Sequence, residues 1–487
     1  MTTSRLMDFD WVETNSPVAS SRTDDIHFFD PRTGWLVNSN GQVALTEDGG
    51  DHWTVKLTLP PNLPSRPYLR AVSFAGPGKG FVGALTNGKA DYLDQLLRIT
   101  EDGGDTWKTV RMPEGSPAGI CGLWAVDENV VYGSGSNDPA QIGPGIVKTT
   151  DGGKTWQLID MSEWATNLID VRFFDADRGW VVGGKDFGTC QGPPPPGYDS
   201  PGDEPYYRVK PVVLYTGDGG KTWENRVACT DFSCGEWGWK VFALDEKRIF
   251  VSLENFLAGA VLKTLDGGQT WQKLPIDDSR PLKYGQEVAN ANLEGIGFID
   301  EELGWVGGWA DVNFNGTYNS VTEDGGRTWK AEDFAVNANL KPVGDLRLNA
   351  NRFQFFGDPV TTGYCSGKKV YKLVVRSAAA TAPALAATRS ARAAAEEPAF
   401  DLRAEPQADG TCTFRYQVPA KAGQVYGGLW NHFGFHVRTL VDEKDVEPGE
   451  RTVRWDGKDD AGRRVRGAVI WRLRIDERTE SETIPLP

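Results

Sequence analysis

The sequence predicts an all-β fold: a seven-bladed β-propeller over residues 8–375, with an N-terminal strand completing the last blade, then an Ala-rich linker over 376–399 and a second β module over 400–487. Three observations predict it. An eight-residue turn recurs six times, a strand–turn–strand pattern recurs seven times, and the composition changes abruptly after residue 375.

The turn reads TEDGGDHW at 46, TEDGGDTW at 100, TTDGGKTW at 149, TGDGGKTW at 216, TLDGGQTW at 264 and TEDGGRTW at 322. The intervals are 54, 49, 67, 48 and 58 residues, and a period of about 50 with strand-like runs on either side is the signature of repeated four-stranded units. Each residue type has a mechanical job. Asp accepts hydrogen bonds from backbone N–H groups of its own turn, Gly supplies the left-handed conformation, and Trp leaves the turn to pack between sheets. The turn is therefore a self-satisfied hairpin corner, and its Thr and Asp side chains are occupied there instead of forming metal or catalytic sites.

The second pattern is plainest in TDDIHFFDPRTGWLV at 23, LIDVRFFDADRGWVV at 168 and LEGIGFIDEELGWVG at 293. Each reads as strand, turn, strand, with Gly-Trp opening the second strand. Weaker versions at 71, 122, 240 and 352 bring the count to seven. The seventh is followed by GKKVYKLVV, a third strand, but by no DGG turn. The stretch DFDWVET at 8–14 matches the strand that follows each turn, so N-terminal residues supply the missing strand. Without it, exposed sheet edges would invite aggregation.

The turns resemble the Asp-box, or BNR, repeat, and the single array with Gly-Trp strand starts is similar to photosystem II assembly and stability factors and their bacterial relatives. That resemblance spans residues 8–375. It implies the propeller without fixing the function, because Asp-box propellers include sialidases, xyloglucan hydrolases, sorting receptors and assembly scaffolds. Residues 376–399 are rich in Ala, Thr and Arg and carry Pro383, the composition of a linker. From Phe400 the strands CTFRYQV, HVRTLV and RTVRWDG follow. With the turn Pro448-Gly449 and the motif Trp455, Asp456, Gly457, Asp459, Gly462, this region resembles the FlgD-type immunoglobulin-like domain, which implies a β-sandwich used for attachment or packing.

The composition excludes several function classes. A net charge of −15 repels polyanions, so nucleic acid is not the expected partner and an anionic membrane surface is disfavoured. No run of about 18 apolar residues is present, so no membrane span is expected. The start, MTTSRLMDFDWVE, lacks the apolar core of a secretory signal, and the default expectation is a cytoplasmic protein. Six cysteines are scattered over 487 residues, which reads as thiols in a reducing compartment; Cys229 and Cys234 are the pair that would bridge in an exported protein. Only four His are present, two of them after residue 400, so a His triad or three-His metal site on the propeller is not expected.

Loops on a rigid scaffold concentrate function. The loops on the face opposite the boxes carry Arg66, Tyr68, Trp164, Arg280, Lys283, Glu287 and Trp309, and the Pro-rich insertion at 185–210 carries Tyr198, Tyr206, Tyr207 and Arg208. An aromatic and Arg-bearing rim is the chemistry of a protein interface. The expected function is therefore a non-catalytic binding or assembly scaffold for a protein partner. The alternative is a carbohydrate-active hydrolase with a carboxylate pair drawn from Asp91, Asp94, Asp138, Asp186 and Glu287. Asp311, Asn313 and Asn315 with Gly316 form the start of a calcium loop, but the twelfth position is Thr322. A hairpin turning at Asn315-Gly316 is the preferred reading there, so no cofactor is expected and calcium is the alternative.

Overall fold

The computed structural model describes residues 9–89, 91–136, 143–188, 208–227, 232–255, 259–276, 293–308, 318–331, 335–336, 350–375, 400–430, 436–460, 462, 464–465, 468–476 and 478–485. Among them the chain is almost wholly strand, with one four-residue helix at Tyr92–Gln95. No helix of the described residues is long and apolar enough to cross a membrane.

Six four-strand antiparallel groups follow one another, each joined in sequence order. Their first strands are Thr23–Phe28, Tyr68–Phe74, Gly119–Ala125, Asn167–Phe173, Trp237–Ala243 and Leu293–Phe298. A further sheet holds Phe353–Phe356, Thr362–Ser366 and Val370–Val375. Its fourth strand is Phe9–Glu13, antiparallel to Val370–Val375 with Trp11 opposite Leu373. Ala335–Val336 adds a short parallel strand on the outer side of Phe9–Glu13, which the repeat pattern does not foretell. First strands pack against first strands from one sheet to the next, and Phe353–Phe356 contacts the first strands of both the sixth sheet and the first.

The strand–turn–strand motif explains the packing between sheets. A Cβ at Gly34, Gly80, Gly179 or Gly304 would stand 2.3–2.4 Å from the ring of Phe28, Phe74, Phe173 or Phe298, respectively. The ring closing the first strand thus lies flat over the glycine opening the second, a fit no larger residue permits. An aromatic residue near the start of the second strand then reaches the neighbouring sheet, after a glycine at Trp35 and after a β-branched residue at Tyr132 and Phe250. Trp35 stacks on Phe74 at 3.7 Å, Tyr132 on Phe173 at 3.6 Å and Phe250 on Phe298 at 3.8 Å. Tyr364, in the last of these sheets, stacks on Phe28 in the first at 3.5 Å. Its hydroxyl donates to the Pro31 carbonyl at 2.7 Å, as that of Tyr132 donates to the Ala176 carbonyl at 2.7 Å.

The Asp boxes are internally satisfied. In the second, the Thr106 amide and hydroxyl donate to the two Asp102 carboxylate oxygens at 2.8 and 2.6 Å, while the Thr100 hydroxyl donates to Asp102 and accepts from the Gly104 amide, both at 2.8 Å. These bonds, the Thr106 hydroxyl's foremost, lower the Asp102 carboxyl to about 2. Gly103 and Gly104 have φ of 74° and 102°, where a side chain would be strained. Trp107 leaves the turn to set its edge against Phe74, with centroids 6.3 Å apart.

The C-terminal residues form two further sheets. One holds Arg403–Pro406, Cys412–Val418 and Gly449–Trp455; the other holds His436–Val446, Ala422–Trp430, Ala468–Ile475 and Arg478–Pro485. Alternate residues of Cys412–Val418 are buried, as a strand with one core face requires, and Phe414, Trp455, Trp471 and Leu473 meet in a shared core. Cys234 is disulfide-bonded, whereas Cys365 and Cys412 are buried thiols.

The Tyr364 stack gives a stability test. Tyr364→Ala removes both the ring contact and the carbonyl bond and is expected to cost about 3–5 kcal/mol, while Tyr364→Phe keeps the ring and costs about 1 kcal/mol. Urea unfolding of both variants measures the difference, and equal losses would locate the effect outside the stack.

Candidate functional site at the inner strands

The first strands share a local irregularity. Their register with the second strand slips between Thr23 and Asp25, Leu69 and Ala71, Ile120 and Gly122, Leu168 and Asp170, Gly238 and Lys240, and Leu293 and Gly295. The residues skipped are Asp24, Arg70, Cys121, Ile169, Trp239 and Glu294. A bulge takes a side chain out of the two-fold alternation and re-aims it. Here it brings together groups from distant sheets.

Asp24 accepts from Arg22 Nε at 2.8 Å, from Arg70 Nη1 at 2.7 Å and from the Tyr68 hydroxyl at 2.6 Å. Arg22 reaches onward to Glu294 of the sixth sheet, and the Arg70 guanidinium lies 5.7 Å from the Trp239 ring centre of the fifth. A second constellation centres on Arg352. Its Nε donates to Asp25 at 2.7 Å, and its Nη1 and Nη2 grip Asp170 of the fourth sheet at 3.0 and 2.8 Å. Lys240 stands 3.8 Å from the same carboxylate. Asp25 and Asp170 also accept the backbone amides of Val72 and Val241, each at 3.1 Å, from the sheet that follows their own.

Burial governs the protonation of these groups. It pushes the Asp24 carboxyl up to about 6 against the pull of Arg22 and the Tyr68 hydroxyl. Burial also works to raise Asp170, but Arg352 and Lys240 outweigh it and hold that carboxyl below the ordinary range. At Glu254 only Arg22 pulls the other way, and it does not prevail. Burial first, and Glu294 second, push its carboxyl well above the usual value, and its Oε1 has no hydrogen-bond partner. Arg172, stacked 3.7 Å from the Trp124 ring centre, is lowered to about 10 by burial and by Arg352. The arrangement clamps sheets together and presents charge; its carboxylates are already engaged by cations, except for Glu254.

The residues singled out from the sequence fall in several places. Tyr68 opens the second sheet's first strand and is 4% exposed. Arg66 adopts φ of 48° and bridges to Asp460 of the C-terminal module at 2.9 Å. Trp164 packs, half-buried, against the core around Tyr132, and Arg208 pairs with Asp186 at 2.9 Å. Asp94 pairs with Arg111 at 2.8 Å, and Asp91 accepts the Ser65 amide at 3.0 Å. Tyr198, Tyr206, Tyr207, Arg280, Lys283, Glu287, Trp309, Asp311, Asn313, Asn315 and Asp138 lie outside the described residues. Among the described residues no three His, Cys, Asp or Glu side chains are placed to hold a metal ion. The inner-strand charges were missed from the sequence. Their signal was the charged residues inside TDDIHF, YLRAVSF and NLIDVRF, strands otherwise read only for their apolar positions.

Asp-box turns on successive blade-like sheets, with their first strands gathered around buried ion pairs, define a BNR-type β-propeller. The chain resembles photosystem II assembly factors. The family model described as photosynthesis system II assembly factor YCF48 matches residues 3–136. Photosystem II assembly lipoprotein Ycf48 of Synechococcus sp. (strain CC9902) is 25% identical over 312 residues, 58% of this chain and 84% of that protein. Photosystem II assembly protein Ycf48 of Synechococcus sp. (strain JA-2-3B'a(2-13)) is 29% identical over 126 residues, 26% of this chain and 33% of that one. Among solved structures, YCF48 bound to D1 peptide has 17% identity and a TM-score of 0.49, covering 76% of this chain and 97% of that chain.

Glu254 offers a test of the electrostatics. A carboxyl raised above its ordinary 4.5 contributes stability that is present below that value and is lost as pH rises through the folded value. Glu254→Gln, neutral at every pH, is therefore expected to melt above the wild type at pH 8, with the gap closing toward pH 4. Scanning calorimetry across that range measures it, and a gap independent of pH would contradict the assignment.

Proposed function

We propose that this chain is a non-catalytic protein-binding scaffold, a seven-bladed propeller closed by its N-terminal strand and followed by an immunoglobulin-like sandwich of the FlgD type. The closure is supported by the pairing of Phe9–Glu13 with Val370–Val375 and by the Tyr364–Phe28 stack. The functional reading is carried by one observation: the relatives matched, one of them over 84% of its length, are assembly factors. Assembly factors act by holding another protein, so the partner of this chain is a protein bound at the face where the first strands begin. The site chemistry agrees. Hydrolysis of a glycoside needs two carboxyl groups free to flank the scissile bond, whereas Asp24, Asp25, Asp170 and Glu294 are held in ion pairs with guanidinium groups.

Cross-linking capture with the intact chain, beside a variant lacking residues 188–205, tests this reading. A defined protein retained by the intact chain and lost with the deletion is expected. Oligosaccharide cleavage by the intact chain, with no protein enriched, would overturn it.

A further inference from the structure

The C-terminal module sits against the first two sheets through its strand Ala468–Ile475. Val469, Trp471, Leu473 and Ile475 of that strand point into the module's own core, so by strand alternation Arg472 and Arg474 face outward. Both are met by the propeller. Arg474 Nη1 donates to the Leu59 carbonyl at 2.8 Å. Arg472 is 5% exposed, lies 4.3 Å from the Tyr68 ring centre, and directs Nη2 to the Ser21 hydroxyl at 3.4 Å. The Arg66–Asp460 bridge completes the contact. Beside it a cavity of about 70 Å³ opens between Leu59, Pro60, Pro67 and Tyr68 on one side and Tyr426 and Arg472 on the other.

The receiving side is a built cation site. Tyr68 offers its ring face, the arrangement that holds a guanidinium by its charge, and its hydroxyl is fixed by Asp24 at 2.6 Å. Asp24, buried behind the ring, is itself locked by Arg22 at 2.8 Å and Arg70 at 2.7 Å, so the ring face is what receives the guanidinium. Burial first, with Arg22, lowers the Arg472 guanidinium, against the pull of Tyr68 and Asp24.

We propose that the pocket of Tyr68, Asp24 and Ser21 is a guanidinium-binding site closed in cis by Arg472, and that a partner protein opens it by presenting an arginine of its own. The partner half of this statement rests on the scaffold reading; the pocket does not. A tethered arginine competes at an effective concentration of about millimolar, so free ligand below that level is excluded while the module is docked. The module is then both lid and internal ligand.

The test uses the full chain with Arg472→Ala and, independently, Asp460→Ala, an exposed bridge whose loss leaves both cores untouched. The probe is N-acetylarginine amide, with the neutral isostere N-acetylcitrulline amide as control. Titration calorimetry reports binding, and small-angle scattering reports the radius of gyration. Arg472→Ala is expected to bind the arginine probe at least about tenfold more tightly than the wild type, in line with a buried cation–π contact, and to ignore citrulline. Both variants are expected to show a larger radius of gyration, the Asp460 variant by less. Equal binding by wild type and Arg472→Ala, equal binding of arginine and citrulline, or an unchanged radius in both variants would overturn the proposal. Because the probe is a small molecule, arginine binding without any captured protein upholds the pocket while removing the scaffold reading.

Discussion

Arg352 ties together strands from three sheets. One planar guanidinium from the strand region of Phe353–Phe356 bridges Asp25 of the first sheet and grips Asp170 of the fourth with two further bonds. Those carboxylates also accept the backbone amides of Val72 and Val241, so a single residue ties sheets that are far apart in sequence. Burying such a group costs solvation, and the cost is offset only when nearly every donor finds an acceptor. The fork geometry of arginine suits this, since a lysine would reach one carboxylate as a point charge. The aromatic stacks are the complementary restraint. They join neighbouring sheets at the opposite end of the first strands, through Phe28, Phe74, Phe173 and Phe298.

The repeat was legible because every residue of the Asp box has a local job. Thr, Asp and Gly satisfy one another within the turn, as the bonds around Asp102 illustrate, so the motif carries its structure wherever it occurs. The Gly-Trp strand start was legible for a similar reason, with the glycine fitting under a ring of the same hairpin. The site was less legible. Asp24, Arg70 and Glu294 face inward because the pairing slips at one residue, and a bulge follows from the partner strand, which the pattern of one strand does not reveal. Read by simple alternation, Asp24 and Asp25 would face opposite sides of the strand, and nothing in that pattern foretells that both are buried. Tyr68, chosen from the sequence as a rim aromatic, instead anchors Asp24 and carries Arg472 on its face.

The electrostatics and the binding reading share one cause. The first strands bring more charge inside than apolar packing needs, and the propeller settles most of it by internal pairing. Where the strands begin, the pairing is completed by a residue from outside the propeller, Arg472. At this face Tyr68 thus presents a ring matched to a cationic side chain, while Asp24 behind it is already paired with Arg22 and Arg70. Electrostatic complementarity of this kind selects partners and orients them more than it adds affinity.

The dependence of the fold on the Arg352 bridge is measured most directly by a double-mutant cycle. Arg352→Met, Asp170→Leu and the double variant would be unfolded in urea at pH 7 and their free energies compared. A coupling of about 2–3 kcal/mol is expected for groups in direct buried contact, with the double variant losing less than the two single variants together. A coupling below about 0.5 kcal/mol, the level of independent sites, would contradict the central role given to this residue.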